Sequence, residues 1–390
     1  MHTQKIIYIV AVIFLLSCLL PNALAFKLPD TGQTTCYDTA GNVISCASTG
    51  QDGEYNINLM SYTDTGNGTV TDNNTGLMWQ KQDDGNLYNW YQASGTYNAT
   101  YNPTSQNVCG SLILGSHSDW RLPTKKELIS IVNYGIPMPG PMIMTTYFPN
   151  TKSGWYWAST TSALDPSLAL YADFNDGDVG QYYKDFSDYV RCVRGGQASS
   201  PSFTDNGDGT VTDNRTGLTW QQGEPGTMTW GSALSYCEEL SLGDKSDWRL
   251  PNIKELESIT DNTRYNPTID TTFFPNVMSS NYWSSTTDTD GPSKAWYIPF
   301  YHGYVYDYES FKSNSYYVRC KRGQTGSFLG DINGDGKVDI SDVILVLRIA
   351  LQLDPAADCS DINEDTGVDI SDVILTLRMA LGLDPLRPCI

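Results

Sequence analysis

The stretch TDTGNGTVTDNNTGLMWQ at 63–80 returns as TDNGDGTVTDNRTGLTWQ at 204–221, and this recurrence decides how the 390-residue chain is read. Three further blocks return in the same order. SDWRLPTKKEL (118–128) becomes SDWRLPNIKEL (246–256), WASTT (157–161) becomes WSSTT (283–287), and YVRCVRG (189–195) becomes YVRCKRG (317–323). Two copies with their own anchors predict two domains of one fold, over 61–196 and 202–323. Gln197-Ala198-Ser199-Ser200-Pro201 links them, and Gln324-Thr325-Gly326-Ser327 leads into a tail. The first copy carries 13 more residues between its TGLxW and DWRLP blocks. The excess around Gly95–Pro103 is expected as an exposed loop.

Local patterns agree between the copies. Gly-rich turns flanked by Val and Thr (Gly68-Thr69-Val70-Thr71 and Gly209-Thr210-Val211-Thr212) predict a β-hairpin. Asp205-Asn206-Gly207-Asp208-Gly209 has the look of a calcium loop. Its counterpart holds Thr65 and Asn67, so the repeat keeps the turn and not the carboxylate. Thr124 with Glu127, and Asn252 with Glu255, match the capping box that starts a helix. Leu128, Ile131 and Val132 supply the buried face of that helix in the first copy. The last third of each copy is aromatic and turn-rich, as a small twisted sheet would be. The fold class is α+β.

Lys5, an apolar run from Ile6 to Leu20, and Ala23-Leu24-Ala25 before Phe26 predict a signal peptide over 1–25. The run is short for a membrane span, and none is expected elsewhere. Leu15-Leu16-Ser17-Cys18 loosely resembles a lipoprotein processing site, against which Leu16 argues. Secretion is therefore the expected location. Removing the leader leaves eight cysteines in an oxidising compartment. Cys109 to Cys192 and Cys237 to Cys320 are each 83 positions apart at equivalent places, which predicts one long-range bridge per copy. Elimination then pairs Cys36 with Cys46, within an N-terminal segment 26–60, and Cys359 with Cys389. The net charge of −20 argues against nucleic acid and anionic membranes as partners.

The blocks TVTDNxTGLxWQ, DWRLPxxKEL, WxSTT and YVRCxRG resemble the C-terminal domain family of the Legionella collagen-like adhesin, over about 260 residues in two copies. The resemblance implies tandem C-type-lectin-like domains, α+β with a disulfide joining the ends, on a surface adhesin that binds glycan. It carries no ligand site over. The Glu-Pro-Asn and Gln-Pro-Asp signatures of calcium-dependent sugar binding are absent, and Glu224-Pro225-Gly226 is the nearest approach.

The tail, 328–390, is a second duplication. GDINGDGKVDISDVILVLRIALQLDP (330–355) becomes SDINEDTGVDISDVILTLRMALGLDP (360–385), identical at 19 of 26 positions. Oxygen donors fall at positions 1, 3, 5, 9 and 12 of each loop: Asp331, Asn333, Asp335, Asp339 and Asp342, then Asp361, Asn363, Asp365, Asp369 and Asp372. Backbone carbonyls of Lys337 and Gly367 fit position 7, giving two Ca²⁺ sites. Thr366 stands where the turn favours Gly, so the second site is expected to be the weaker. Val343, Ile344, Val346, Leu347, Ala350 and Leu351, repeated as Val373, Ile374, Leu377, Ala380 and Leu381, predict one helix after each loop. Asp before Pro355 and Pro385 should stop them.

Paired loop–helix units ending in Asp resemble a dockerin, the small all-α calcium-binding module that plugs into cohesin domains. The resemblance implies a cohesin-bearing partner contacted by Ile340, Ser341, Leu347 and Arg348 and equally by Ile370, Ser371, Leu377 and Arg378, in either of two orientations.

No nucleophile motif, P-loop or zinc spacing appears, and neither His117 nor His302 belongs to the shared scaffold. The expected protein is a secreted, non-catalytic binder of an extracellular glycan or protein, anchored through its tail. The alternative is a dockerin-tethered polysaccharide-active enzyme, whose carboxylate pair would assemble only in the fold. Aromatics outside the shared blocks are the candidate ligand surface: Trp90, Tyr91, Tyr97 and Tyr101 in the inserted region, and Tyr301, Tyr304, Tyr306 and Tyr308 in the second copy.

Overall fold

The computed structural model describes residues 27–55, 57–196 and 202–323, and in the tail 329–330, 332, 338, 340–357, 359–363, 365, 367–381 and 383–384. The leader, the link 197–201 and Cys389 lie outside the described residues. Two compact units are present, Phe26–Gly323 and another that holds the tail from Gln324. Mixed strand and helix content makes the fold α+β, mostly strand.

Each repeat opens with the expected hairpin. Tyr62–Asp64 pairs antiparallel with Thr69–Asp72, across a turn in which Gly66 and Gly68 take left-handed φ of 73° and 91°. Met78–Gln80 and Val193–Arg194 complete a four-stranded sheet, and the second repeat rebuilds it from Phe203–Asp205, Thr210–Asp213, Thr219–Gln221 and Lys321–Arg322. Alternation puts Val70, Trp79, Val211 and Trp220 wholly inside. In the second repeat's hairpin, Asp205 and Asp208 accept the backbone N–H groups of Gly207 and Thr210. Those carboxylates serve the turn. A second sheet follows: Trp155–Thr161, Leu168–Asp173 and Val179–Tyr183 in repeat 1, with Asn281–Thr287 and Ala295–Pro299 among its counterparts in repeat 2.

The helices are short. Repeat 1 has α1 (Trp90–Ser94) and α2 (Lys125–Ser130), repeat 2 has α3 (Trp230–Glu238) and α4 (Ile253–Ser258), and the tail has α5 (Ile340–Ala350) and α6 (Ile370–Ala380). Both predicted capping boxes form, Thr124 with Glu127 and Asn252 with Glu255. The same glutamates accept two hydrogen bonds each from the Arg of DWRLP, at 2.8 and 2.6 Å in both repeats. One side chain thus caps a helix and neutralises a nearly buried guanidinium. The Asp of DWRLP holds the last strand, Asp119 to Arg194 and Asp247 to Arg322. The Arg of YVRC, Arg191 or Arg319, is buried against Asp83 or Glu224. The shared blocks are scaffold.

The disulfides Cys109–Cys192 and Cys237–Cys320 form as the spacing predicted, and Cys36–Cys46 as elimination left it. Cys359 is disulfide-bonded too.

The repeats share one core about a pseudo-twofold axis. Val179 and Val305, each 22 residues after the Trp of WxSTT, pair with one another in an antiparallel bridge, Val179 N–H donating to Val305 O at 3.0 Å. Across this axis the two equivalent lysines exchange caps. Lys126 donates to the carbonyls of Ser258 and Thr260 at the end of α4 (2.7 and 2.6 Å), and Lys254 donates to that of Ser130 at the end of α2 (2.9 Å). Leu128, Ile131 and Val132 are fully buried as expected, in one cluster with Leu256, Ile259 and Trp296. Each aliphatic side chain so buried contributes roughly 1.5–3 kcal/mol.

The described residues of 27–60 form a strap closed by Cys36–Cys46. It crosses from repeat 1, where Tyr134 N–H donates to Thr31 O at 2.8 Å, onto the sheet edge of repeat 2, where Gln33 and Thr287 exchange two hydrogen bonds.

In the tail, α5 and α6 pack on each other through Val343, Val346, Ile349 and Val373, with Met379 in a neighbouring cluster. One helix follows each loop, as expected. Both helices end by Ala350 and Ala380, before the Asp-Pro stops, and Leu351, Ile374, Leu377 and Leu381 are exposed. Two 11-residue helices offer each other one narrow stripe, so among the described residues the remaining apolar positions have little to pack against.

Candidate functional site

Loop 1 of the tail is mostly undescribed: Asp331, Asn333, Asp335, Lys337 and Asp339 lie outside the described residues. Its last donor, Asp342, is fully buried and accepts the N–H of Ile332 at 2.9 Å. Loop 2 is visible apart from two positions, one of them Thr366. Asp372, equally buried, accepts the N–H groups of Ile362 (2.7 Å), Asn363 (3.2 Å) and Asp369 (2.9 Å). Asp361 Oδ1 accepts the N–H of Asp365, and Asp365 Oδ1 that of Gly367, at 3.1 Å each. Asp369 turns aside to cap α6, accepting from Ser371 N–H and O–H at 2.7 and 2.6 Å.

Among the described residues no three His, Cys, Asp or Glu side chains gather as a metal cluster. The ion pairs of the tail among those residues are Arg348–Asp354 and Arg378–Asp384, so no described cation offsets Asp372. A carboxylate buried without countercharge is costly. A hard dication would offset that cost, and the all-oxygen donor set suits Ca²⁺ by its chemistry.

The expected contact residues of the tail divide. Ile340 and Ile370 have the same exposure, 61%, and Ser341 is exposed. Ser371 is half-buried. Leu347 is half-buried against the helix core while its counterpart Leu377 is exposed. Arg348 holds Asp354 through two hydrogen bonds of 2.5 and 2.9 Å, and Arg378 holds Asp384 through two of 2.7 and 2.8 Å. Both guanidiniums are thereby fixed against their own module.

Among the aromatics, two expectations fail. Trp90 is buried and is the counterpart of Trp230, each starting a helix and donating its indole N–H to the same strand, at Ala158 O (2.9 Å) and Ser284 O (2.8 Å). The inserted region begins beyond it, and the flanking sequences differ too much to reveal the match. Tyr304 is buried on the shared interface, stacked on His302 with ring centroids 3.8 Å apart. Tyr97, Tyr101, Tyr301 and Tyr308 are exposed, and Tyr91, half-buried, stacks on Tyr101. They are scattered and form no common face that the contacts define. His302 Nδ1 accepts the N–H of Tyr304, and burial lowers the imidazole pKa to about 3.

A site the motif reading missed lies on the WxSTT edge. In repeat 2, Ser285, Thr286 and Thr287 are completely buried beneath the strap, whereas Ser159, Thr160 and Thr161 are half-buried. The only sequence signal was that the segment 26–60 has no counterpart before repeat 2.

The profile of the Lcl C-terminal domain matches residues 68–194 and again 209–322, more than half of the chain. The chain belongs to the Lcl C-terminal domain family and carries two copies of the domain. No curated protein matches it. No helix among the described residues is long and apolar enough to cross a membrane.

Proposed function

We propose that this chain is an extracellular, non-catalytic binding protein of the adhesin kind. Its paired Lcl C-terminal domains, C-type-lectin-like in fold, present the ligand surface, and a calcium-dependent dockerin-type tail anchors them to a cohesin-bearing partner. The observation that carries the anchoring is the duplicated apolar surface of the tail. Ile340 and Ile370 are equally exposed at the start of equivalent helices, with Ile374 and Leu377 beside the second. Apolar side chains left outside so small a core fit a protein interface. The buried Asp342 and Asp372 support the calcium dependence, and the donors named above would hold the two ions. Three disulfides suit an oxidising, extracellular setting. The low pKa of His302 and the structural use of the shared Arg, Asp and Glu side chains support a non-catalytic reading.

The test is capture of the full-length protein on an immobilised cohesin panel, with calcium and with chelator. Calcium-dependent capture lost in Ile340→Asp/Ile370→Asp, with helix content kept, is the expected result. Equal capture in chelator, or by the double variant, defeats the anchoring claim.

A further inference from the structure

The strap is an internal ligand of repeat 2, held by groups that repeat 1 also possesses. The carboxamide of Gln33 brackets the Thr287 backbone, accepting its N–H at 2.9 Å and donating to its carbonyl at 2.8 Å. Thr286 Oγ1 donates to Asp52 Oδ2 at 2.6 Å, and Thr31 donates to the same oxygen at 2.7 Å. Lys312, its ammonium 4.0 Å above the Trp230 ring, donates to the carbonyls of Tyr37 and Asp38 at 3.3 Å each. The Arg249 guanidinium lies 4.7 Å from the ring of Tyr55.

Repeat 1 presents the same set without a strap. Thr160 Oγ1 accepts the N–H of Lys125 at 3.0 Å as Thr286 accepts that of Ile253, but among the described residues no carboxylate meets its hydroxyl. Lys184, itself buried, lies 4.0 Å above the Trp90 ring, in the pose of Lys312, and turns its ammonium to Thr161 Oγ1 at 2.9 Å. Arg121 keeps its glutamate, yet its side chain is 22% exposed where that of Arg249 is 5%. Beside this edge lies a small surface cleft lined by Ser162, Leu164, Leu170, Asn262, Arg264 and Tyr265. Asn262 is the pseudo-twofold counterpart of Tyr134, the residue past which the strap enters repeat 2, and its Oδ1 is buried without a hydrogen-bond partner. One departure limits the likeness: Glu238, which accepts from Tyr55 Oη at 2.7 Å, has Gly110 as its counterpart.

We propose that the open edge of repeat 1, built from Arg121, Thr160, Thr161 and Lys184 with the adjoining cleft, binds an extended polypeptide segment of another protein as repeat 2 binds its strap. The occupant offers a carboxamide to the Thr161 backbone, a carboxylate to the Thr160 hydroxyl and main-chain carbonyls to Lys184. This is strand-edge recognition, in which backbone groups supply affinity and a few side chains set register. It rests on the reading of the Lcl pair as the ligand-binding part of the chain, and names its ligand class as peptide.

The probe is the chain's own strap, an oxidised synthetic peptide of residues 27–60 carrying a fluorophore, titrated into the full-length protein by anisotropy. Saturable binding of one peptide per chain is expected. Thr160→Val/Lys184→Ala should weaken it at least tenfold, and so should Asp52→Ala in the peptide, which removes the acceptor. Circular dichroism melts confirm that each variant is folded. No saturable binding, or binding indifferent to the repeat 1 substitutions, overturns the proposal; the second outcome would mean exchange with the strap at repeat 2. Displacement of the peptide by an oligosaccharide, lost in the same variant, would overturn the peptide class. If cohesin capture and adhesion to an extracellular surface persist while the peptide fails to bind, this inference alone has failed.

Discussion

Repeat 2 and repeat 1 carry the same edge, Ser-Thr-Thr beside a Lys–Trp pair and an Arg–Glu pair, yet one edge is interior and the other is surface. The difference lies in the strap, which removes Thr286 and Thr287 from water and leaves Thr160 and Thr161 half exposed. Burial is therefore no property of the motif. A hydroxyl and a backbone amide that are structural in one copy are available for recognition in the other, and a polar edge excluded from solvent must have its groups satisfied by what covers it.

The comparison breaks first at the disulfides. Cys109→Ser/Cys192→Ser and Cys237→Ser/Cys320→Ser each remove an 83-residue closure, worth about 4–5 kcal/mol in the chain-entropy model. Because the repeats share a core, calorimetry on either variant should show 27–323 melting in one transition. Two resolved transitions would make the repeats independent.

Next comes the exchange across the pseudo-twofold axis. Lys125 and Glu257 form a buried ion pair of 2.9 Å, and Lys125→Ala should cost about 3–5 kcal/mol in urea unfolding because the carboxylate is left unpaired. A loss below about 1 kcal/mol would mean that water reaches Glu257 and that the interface is looser than described.

The edges themselves are compared by Thr286→Val against Thr160→Val. The first should cost about 1–3 kcal/mol, since Asp52 loses a donor inside the fold. The second should fall within about 0.5 kcal/mol of wild type. Equal effects would show the strap to be weakly held.

The smallest effect expected is a pH dependence of the strap. Burial, and then the neighbouring Asp30 carboxylate, push Asp52 from 3.8 up to about 7, against the hydrogen bonds from Thr286 and Thr31. The folded state thus holds a proton that the unfolded chain releases, so the contribution is complete below about pH 4 and is lost as pH rises through 7. Asp307 and Asp178, raised to about 7 and about 9, bend the global curve the same way. Lys254, lowered to about 8, acts in a separate window above. The informative measurement is hydrogen exchange at the Thr287 amide. Its protection should fall between pH 5 and pH 8 in wild type and stay flat in Asp52→Asn.

Much of this architecture was legible before any coordinates. The repeated blocks located the two domain copies, Thr124 with Glu127 and Asn252 with Glu255 predicted α2 and α4, and equal spacings predicted the two long disulfides. Each of these depends on residues a few positions apart or on a pattern written twice, so local physics suffices to read it. Other features depend on what lies across a contact. Nothing in the sequence marks Lys125, Lys126 and Lys254 as buried, and only the pairing of α2 with α4 makes them buried caps and an ion pair. Trp90 looked like an exposed aromatic of an insertion until its indole was seen to occupy the place of Trp230. The outward turn of Ile374, Leu377 and Leu381 follows from the narrow stripe that two short helices share. Which Ser-Thr-Thr edge meets water was decided by the strap alone, because solvent exclusion is set by the group opposite, and a chain pattern does not record its opposite.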